Sequence, residues 1–339
     1  MSVPIITVIV CTYNRCVSLA GTLESIAQSK IPESITWNVL VVDNKSDDRT
    51  REVVEEVSRS YPGHFHYLFE ARPGKSHALN AGVRESTAEI LAFTDDDVIV
   101  DPNWLASLAD GLRDGNWAGI AGRVERTWSC SPPFWLSLEG RYEKLGWALV
   151  SFRLNQDAGA LPPNFPPVGA NMAFRREVFG KHGAFRTDLG PQGAEIGASS
   201  REKAGISEDT EFGFRLTRAG EQLRYEPSAI VYHPVPVRRL TKEYFLEWWF
   251  VRGRFGTRLS PERPAICGVP RRYIRMGRMT VLLVGRSLGW VFAVSPCRRF
   301  YYKAMVWEMV GAMIEGYKQW FKAGASVRPS DESTAKVSF

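Results

Sequence analysis

Apolar residues in the first hundred positions follow two rhythms. Short, nearly unbroken apolar runs at residues 5–11, 37–42, 66–70 and 90–94 read as strands. Between them, residues 18–29, 49–60 and 76–85 space their apolar positions by three and four, as Leu19, Leu23 and Ile26 do, and predict helices. Asp48 or Thr50 is placed to cap the second helix. Strands apolar throughout and alternating with helices predict an α/β fold, a parallel sheet covered by helices on both faces. The polar clusters fall just after the strand C-termini, where open α/β sheets hold ligands. A further helix is expected at 209–219, with Gly220 as its stop, and a short strand at 229–232.

The remainder of the 339 residues changes character twice. From about Trp104 to Leu161 the chain is rich in aromatic residues, and beyond Arg238 it mixes tryptophan and phenylalanine with dense arginine. Residues 1–223 carry 23 Lys and Arg against 29 Asp and Glu, whereas residues 224–329 carry 19 against 6. An acidic front and a basic back imply separate duties, the back facing anionic lipid, nucleic acid or phosphorylated substrate. No motif for reading nucleic acid accompanies the charge, so nucleic acid is not an expected partner. The five cysteines show no CxxC or Cys/His spacing, which argues against a disulfide framework or a structural zinc site. The first fifteen residues lack the basic start and small-residue cleavage site of a secretory signal, and no apolar run reaches about 18 residues. A cytoplasmic protein, peripheral at the cytoplasmic face of the membrane, is expected.

The chemistry concentrates in a few places. Asp95, Asp96 and Asp97 close the fourth strand, and three adjacent carboxylates need a cation or hydrogen-bond donors to offset their repulsion. Hard ions such as Mg²⁺ or Mn²⁺ suit carboxylate oxygen and share coordination with phosphates; a solvated capping turn is the plainer alternative. Strand alternation would send Asp95 and Asp97 one way and Asp96 the other. Asp43 follows the second strand and suits either a base or ribose contact or an ordinary turn. Arg15, Arg72 and Lys75 bring positive charge to the same edge, next to the amides of a helix N-terminus. Glu208 and Asp209 open a helix, either as caps (with Ser207 another candidate) or with Asp209 as a general base. His233 completes a metal site, touches a phosphate, or is a buried structural histidine.

Taken in order, VIVCTYNR, VVDNKSDD, RPGKSHALNAG, FTDDDVIVDP, GANMAFRRE and SEDTEFGFRL resemble the motifs of family 2 glycosyltransferases over about the first 235 residues. The resemblance implies a GT-A fold, an α/β (Rossmann-like) architecture whose sheet is mixed but mainly parallel. It also implies a nucleotide-sugar donor, with UDP-sugar favoured, and an inverting, Mg²⁺- or Mn²⁺-dependent transfer to a glycan or lipid-linked acceptor. By position, it places Thr12, Tyr13 and Arg15 at the base and phosphates. Asp43 would read the base, and Arg72 and Lys75 would lie near base and diphosphate. Asp95 and Asp97 match the outer positions of the DxD motif, Asp97 being the expected metal ligand, and Asp96 would approach ribose. Asp209 matches the catalytic base beside Glu208, and Gly169, Ala170 and Asn171 match the acceptor side. The QxxRW motif of processive synthases is absent; EWWFVRGRF stands nearest to it, so transfer of a single sugar is preferred.

Two other readings fit parts of the chain. A sugar nucleotidyltransferase would share the nucleotide-binding sheet and acidic site, but CTYNRCVSLAG is not its usual Gly-rich loop. A catalytically inactive glycan- or nucleotide-binding module is the other. The expected organisation is a catalytic domain over 1–238, with a nucleotide-binding half at 1–103 and an acceptor half at 104–238. A helical extension at 239–323, basic and aromatic, would lie on an anionic membrane surface or pack as a subdomain, followed by a flexible tail at 324–339.

Overall fold

The computed structural model describes residues 5–113, 116–189, 208–259 and 271–325. Ser207, Cys267 and all of the expected tail beyond residue 325 lie outside the described residues.

The chain forms two compact units, one of Met1–Pro132 with Leu149–Leu240, the other of Pro133–Ala148 with Thr241–Phe339. The first unit opens with β1 (Ile5–Thr12), α1 (Cys16–Ala27), β2 (Thr36–Asp43), α2 (Thr50–Ser60), β3 (Phe65–Phe69), α3 (Lys75–Glu85) and β4 (Ile90–Thr94). It continues with β5 (Ile99–Val100), α4 (Trp104–Gly111), β6 (Gly119–Trp128), β7 (Gly159–Ala160), β8 (Met172–Arg175), α5 (Glu177–His182), α6 (Glu208–Arg218) and β9 (Leu223–Val235). The strands join one sheet in the order β3-β2-β1-β4-β8-β6-β9-β5, with β7 paired to β9. β3, β2, β1 and β4 run parallel; β8 is antiparallel to both its neighbours, and β6 and β9 are parallel again. Chain order reverses at β1, which has β2 on one side and β4 on the other. That switch point leaves a crevice beyond the strand ends, bordered by Thr12 and Thr94.

Alternation along β1 divides the core. Ile6, Val8 and Val10 face one apolar cluster with Leu19, Leu23 and Ile26 of α1, Val54 of α2 and Trp104 and Leu108 of α4. Ile9 faces the other, with Ala78 and Leu79 of α3, Phe179 of α5 and Phe212 and Leu216 of α6. Helices therefore cover both faces, and the strands are apolar throughout because neither side meets water.

The second unit contains a 3₁₀ stretch within Gly140–Leu149, then α7 (Lys242–Leu259), α8 (Arg271–Phe292) and α9 (Pro296–Ala325). Among the described residues no helix is long and apolar enough to cross a membrane. Pro133–Ala148 joins this unit through its aromatic residues: the Trp135 ring lies 5.7 Å from Phe245 and 4.3 Å from Phe300. α7 and α9 touch backbone to backbone at paired glycines. A Cβ on Gly253 would strike the Glu308 carbonyl, and one on Gly311 would strike the Phe250 carbonyl. Gly311→Val must therefore push the helices apart, and a loss of about 1–3 kcal/mol is expected from overpacking. Denaturation followed by tryptophan fluorescence measures it; an unchanged midpoint would contradict the close crossing.

Candidate active site

Two loops at the switch point are stitched together before any ligand arrives. β1 and β2 pair in register so that Thr12 lies opposite Asp43. Asn14 adopts φ +53°, a left-handed conformation that asparagine tolerates. There its amide donates to Ser46 Oγ at 2.9 Å and its Oδ1 accepts from the Asp47 amide at 2.8 Å. Arg49, rather than Asp48 or Thr50, takes the N-cap position of α2. Asp48, one residue earlier, accepts from the amides of Cys16 (2.9 Å) and Thr50 (3.0 Å) and so ties the start of α1 to that of α2. Thr12 is buried and Tyr13 half-buried on this edge. Asp43 is buried too, accepting from the Ser46 amide at 2.9 Å and from the Tyr67 hydroxyl at 2.7 Å. Burial and that hydrogen bond push the Tyr67 phenol upward, so it remains a donor.

Arg72 and Lys75, three residues apart, are sent to different partners. Arg72 Nε and Nη2 form a fork on Glu70 at 2.9 and 2.7 Å, and hydrogen bonding to Arg72 pulls the Glu70 carboxyl down to about 2. Asn44 shapes the intervening turn. Its Nδ2 donates to the Glu70 carbonyl (3.2 Å) and the Arg72 carbonyl (2.7 Å), while its Oδ1 accepts from the Gly74 amide at 2.7 Å. Gly74, at φ +123°, makes the bend that starts α3. Lys75 then reaches inward, its Nζ 2.6 Å from Asp95 Oδ1 and 3.9 Å from Glu208 Oε1. Burial opposes its charge, but Asp95, Glu208 and Asp209 outweigh it and hold its pKa well above the ordinary lysine value.

β4 ends at Thr94, and Asp96 and Asp97 form a turn rather than a continuing strand. Arg15 Nη1 bridges them, 3.0 Å from Asp96 Oδ1 and 2.9 Å from Asp97 Oδ2, so Asp96 and Asp97 share a cation that strict alternation would have denied them. Burial pushes the Asp96 carboxyl up to about 6 despite Arg15. Asp95 also suffers burial, yet Lys75 and His233 pull its pKa below the usual aspartate value.

His233 joins this group through sheet register. β5 pairs with β9 at Ile99 opposite Tyr232, which sets His233 next to Asp97, Nε2 to Oδ1 at 3.4 Å. Its Nδ1 lies 2.9 Å from the Pro234 carbonyl, an acceptor, so Nδ1 carries a proton and Nε2 is the ring nitrogen that faces Asp97 and can offer a lone pair to a cation. One ligand atom each from Asp95, Asp97 and His233 lies within 4.8 Å of the others. Two carboxylates and an imidazole lone pair fit a divalent cation.

The other wall is built by α6 and the turn before β8. Gly169 donates its amide to Asp209 Oδ2 at 2.6 Å, and the Thr210 amide reaches Oδ1 at 2.5 Å. Thr94 Oγ1 donates to the Ala170 carbonyl at 2.8 Å, locking this turn to the end of β4. Phe212, one turn into α6, packs 4.8–5.1 Å from the rings of Phe174, Phe179 and Phe185, so the helix start has little freedom. Burial raises the pKa of both acids, Glu208 to about 7, with Lys75 opposing the rise in each case. Glu208 Oε2 is buried without a hydrogen-bond partner.

Asn171 lies elsewhere. It is fully buried, its Oδ1 accepts from Trp104 Nε1 at 2.8 Å, and its Nδ2 donates to the Arg123 and Ala229 carbonyls, both at 2.8 Å. Those bonds brace the β6–β9 irregularity at Gly122/Arg123. Asn171→Ala strips partners from two buried groups, Trp104 Nε1 and the Ala229 carbonyl, and from the part-buried Arg123 carbonyl. A loss of about 1–3 kcal/mol per buried group is expected in thermal denaturation. A melting temperature equal to that of the parent would exclude this bracing role. Arg15, Lys75, Asp95, Asp96, Asp97, Glu208, Asp209, Gly169 and His233 thus converge. Asp43 with Thr12 and Tyr13 borders them, Arg72 is turned to Glu70, and Ala170 and Asn171 are interior. Glu70, Asn44 and Tyr67 are the contributors that local sequence did not single out.

Residues 7–183 match the family described as Glycosyl transferase family 2. The succinoglycan biosynthesis protein ExoM of Rhizobium meliloti is 29% identical over 255 residues, covering 75% of this chain and 74% of that protein. The glycosyltransferase AglE of Haloferax volcanii is 26% identical over 245 residues, 72% of each chain. Among solved structures, the mannosyltransferase PcManGT of Pyrobaculum calidifontis, in complex with GDP-Man and Mn²⁺, superposes with a TM-score of 0.53. It is 19% identical, and the match covers 96% of this chain and 76% of that one.

Proposed function

Because this chain belongs to glycosyl transferase family 2, and is a glycosyltransferase, we propose that it moves one sugar from a nucleoside-diphosphate sugar, a UDP-sugar by preference, to a hydroxyl of a glycan or lipid-linked glycan, inverting the anomeric carbon. The observation that carries this reading is Lys75, whose ammonium lies 2.6 Å from Asp95 in the candidate metal group and 3.9 Å from Glu208 beside the candidate base. Donor and acceptor chemistry would meet there. Asp95, Asp97 and His233 would hold a divalent cation, which supplies positive charge to the departing diphosphate. The imidazole in that set favours Mn²⁺ over Mg²⁺.

The chain's own groups account for the rest. Among the described residues Arg15 and Lys75 are paired with the site's aspartates, and they would turn from aspartate to phosphate oxygens when the donor enters. Asp43 would accept from the base and Asp96 would approach ribose. Asp209, held by two backbone amides, would take the proton of the attacking hydroxyl from the face opposite the leaving group. Gly169 has no side chain at this point: a Cβ there would come within 3.0 Å of Asp209 Oδ2 and 3.5 Å of Lys75 Nζ, space that an acceptor needs. In-line displacement with Asp209 as base requires no carboxylate nucleophile, and it inverts the anomeric carbon. Proton NMR of the sugar first released from UDP-glucose, UDP-N-acetylglucosamine or GDP-mannose with Mn²⁺ tests this. The β-configured product is expected from an α-linked donor, and an α-configured product would overturn the mechanism.

A further inference from the structure

The second unit gathers three cations around one carboxylate. Lys144 Nζ lies 3.0 Å from Glu308 Oε2, Arg286 Nη1 lies 3.6 Å from the same oxygen, and Arg252 Nε lies 3.8 Å from Oε1. Tryptophans form the floor: the Arg252 guanidinium is 4.4 Å from the Trp147 ring centre, and Lys144 Nζ is 4.9 Å from that of Trp249. Glu308 cancels one positive charge of three. Hydrogen-bond donors are in surplus as well, since Arg252 Nε and the fully buried Trp249 Nε1 have no hydrogen-bond partner. Buried donors without a partner are costly, and a surplus of positive charge on half-buried side chains repels itself; folding alone calls for neither. Burial pushes the Lys144 and Arg252 pKa values downward, with Glu308 opposing in both. Acceptor oxygens and negative charge are what the cluster lacks, and a phosphate supplies both.

Arg286 lies on α8, whose other side explains where such a phosphate would come from. Val281, Val291 and Phe292 are 72%, 65% and 75% exposed, and Leu288 lies between them on the same exposed side. The helix contains five arginines and no acidic residue, four of them in its first eight positions, where positive charge opposes the helix dipole. Such a helix is too charged to span a bilayer but suits an anionic lipid surface, apolar side chains in the acyl boundary and arginines among headgroups.

We propose that Lys144, Arg252 and Arg286, over the Trp147–Trp249 pair, form a site for the phosphate group of an anionic membrane lipid, with the exposed apolar side of α8 seated in that lipid's bilayer. The site belongs wholly to the second unit and does not depend on the catalytic reading.

Co-sedimentation of the full chain tests it, with vesicles of phosphatidylcholine alone and of phosphatidylcholine mixed with phosphatidylglycerol. Binding is expected to the mixed vesicles, to fall roughly fivefold in each of Lys144→Gln and Arg252→Gln, and to fall in Leu288→Asp. Glu308→Gln discriminates further. It removes the competing carboxylate, so binding should strengthen, whereas a purely structural ion pair would make it weaken. Melting curves accompany each variant, and Leu288→Asp, on an exposed position, keeps the test decisive if a cluster variant unfolds. Equal binding to both vesicle types, no binding to either, or weaker binding by folded Glu308→Gln would overturn the proposal. Inorganic phosphate that binds the chain while mixed vesicles do not would overturn the lipid source. Nucleotide binding enters none of these readouts, so a failure here leaves the catalytic reading untouched.

Discussion

Asp209→Asn keeps its donor and loses its turnover, by a factor of at least about 100. The reason is positional. The groups proposed to touch the donor lie at the ends of β1, β2 and β4 and at the start of α3, whereas Asp209 opens α6 and bonds to the amides of Gly169 and Thr210. An asparagine retains the shape but has no basic oxygen for the acceptor proton. It also offers one acceptor where aspartate offered two, so one backbone N–H loses its partner and stability drops by about 1–3 kcal/mol. The pH profile of the parent enzyme carries the same signature. Burial raises the Asp209 pKa against the pull of Lys75, so the carboxyl remains protonated above the usual aspartate range. Its basic form therefore appears only as pH rises through that elevated value, and the rate should climb on an acid limb displaced upward. Stopped-flow or coupled assays across pH measure the limb, which should vanish from the residual activity of Asp209→Asn. Parent-like turnover in the variant would remove Asp209 as base.

Asp97→Ala is the second large effect. It removes a carboxylate from the Asp95–Asp97–His233 group and one of the two partners of Arg15. Arg15 keeps Asp96, so the turn retains its other tie to α1. Binding of nucleoside diphosphate in Mn²⁺ should weaken by at least about 100-fold, the upper end for loss of a mere outer-shell partner. The residual affinity should equal that of the parent in EDTA. His233→Ala should fall between parent and Asp97→Ala. Calorimetry on the three proteins checks the order, and unchanged affinity in Asp97→Ala would sink its role as ligand.

The α/β architecture was legible because strands buried on both faces must be apolar throughout: β4 occupies residues 90–94, as its apolar run implied. β9 was only partly legible. Its apolar stretch suggested residues 229–232, but the strand extends over Leu223–Val235 because the Glu226-Pro227-Ser228 interruption is absorbed by a register shift against β6 and braced by Asn171. The same long-range pairing governs the site. That His233 meets Asp97 follows from the Ile99–Tyr232 register, which joins residues far apart in the chain. Local spacing also gave Arg72 and Lys75 equal standing; Glu70 and Asn44 separate them through a turn whose bonds depend on the folded β2 and β3 ends. Pro133–Ala148 shows the limit most plainly, since nothing in its composition sets it apart from the residues around it, yet its tryptophans belong with the C-terminal helices.

The central claim is a metal-dependent donor site beside a separate base, and calorimetric titration with UDP, GDP, dTDP and CDP, each with Mn²⁺ and with EDTA, tests it most directly. Tight binding of one nucleotide, UDP by preference, in Mn²⁺ and its loss in EDTA is the predicted result. Binding that is indifferent to EDTA, or no binding to any of the four, would contradict it.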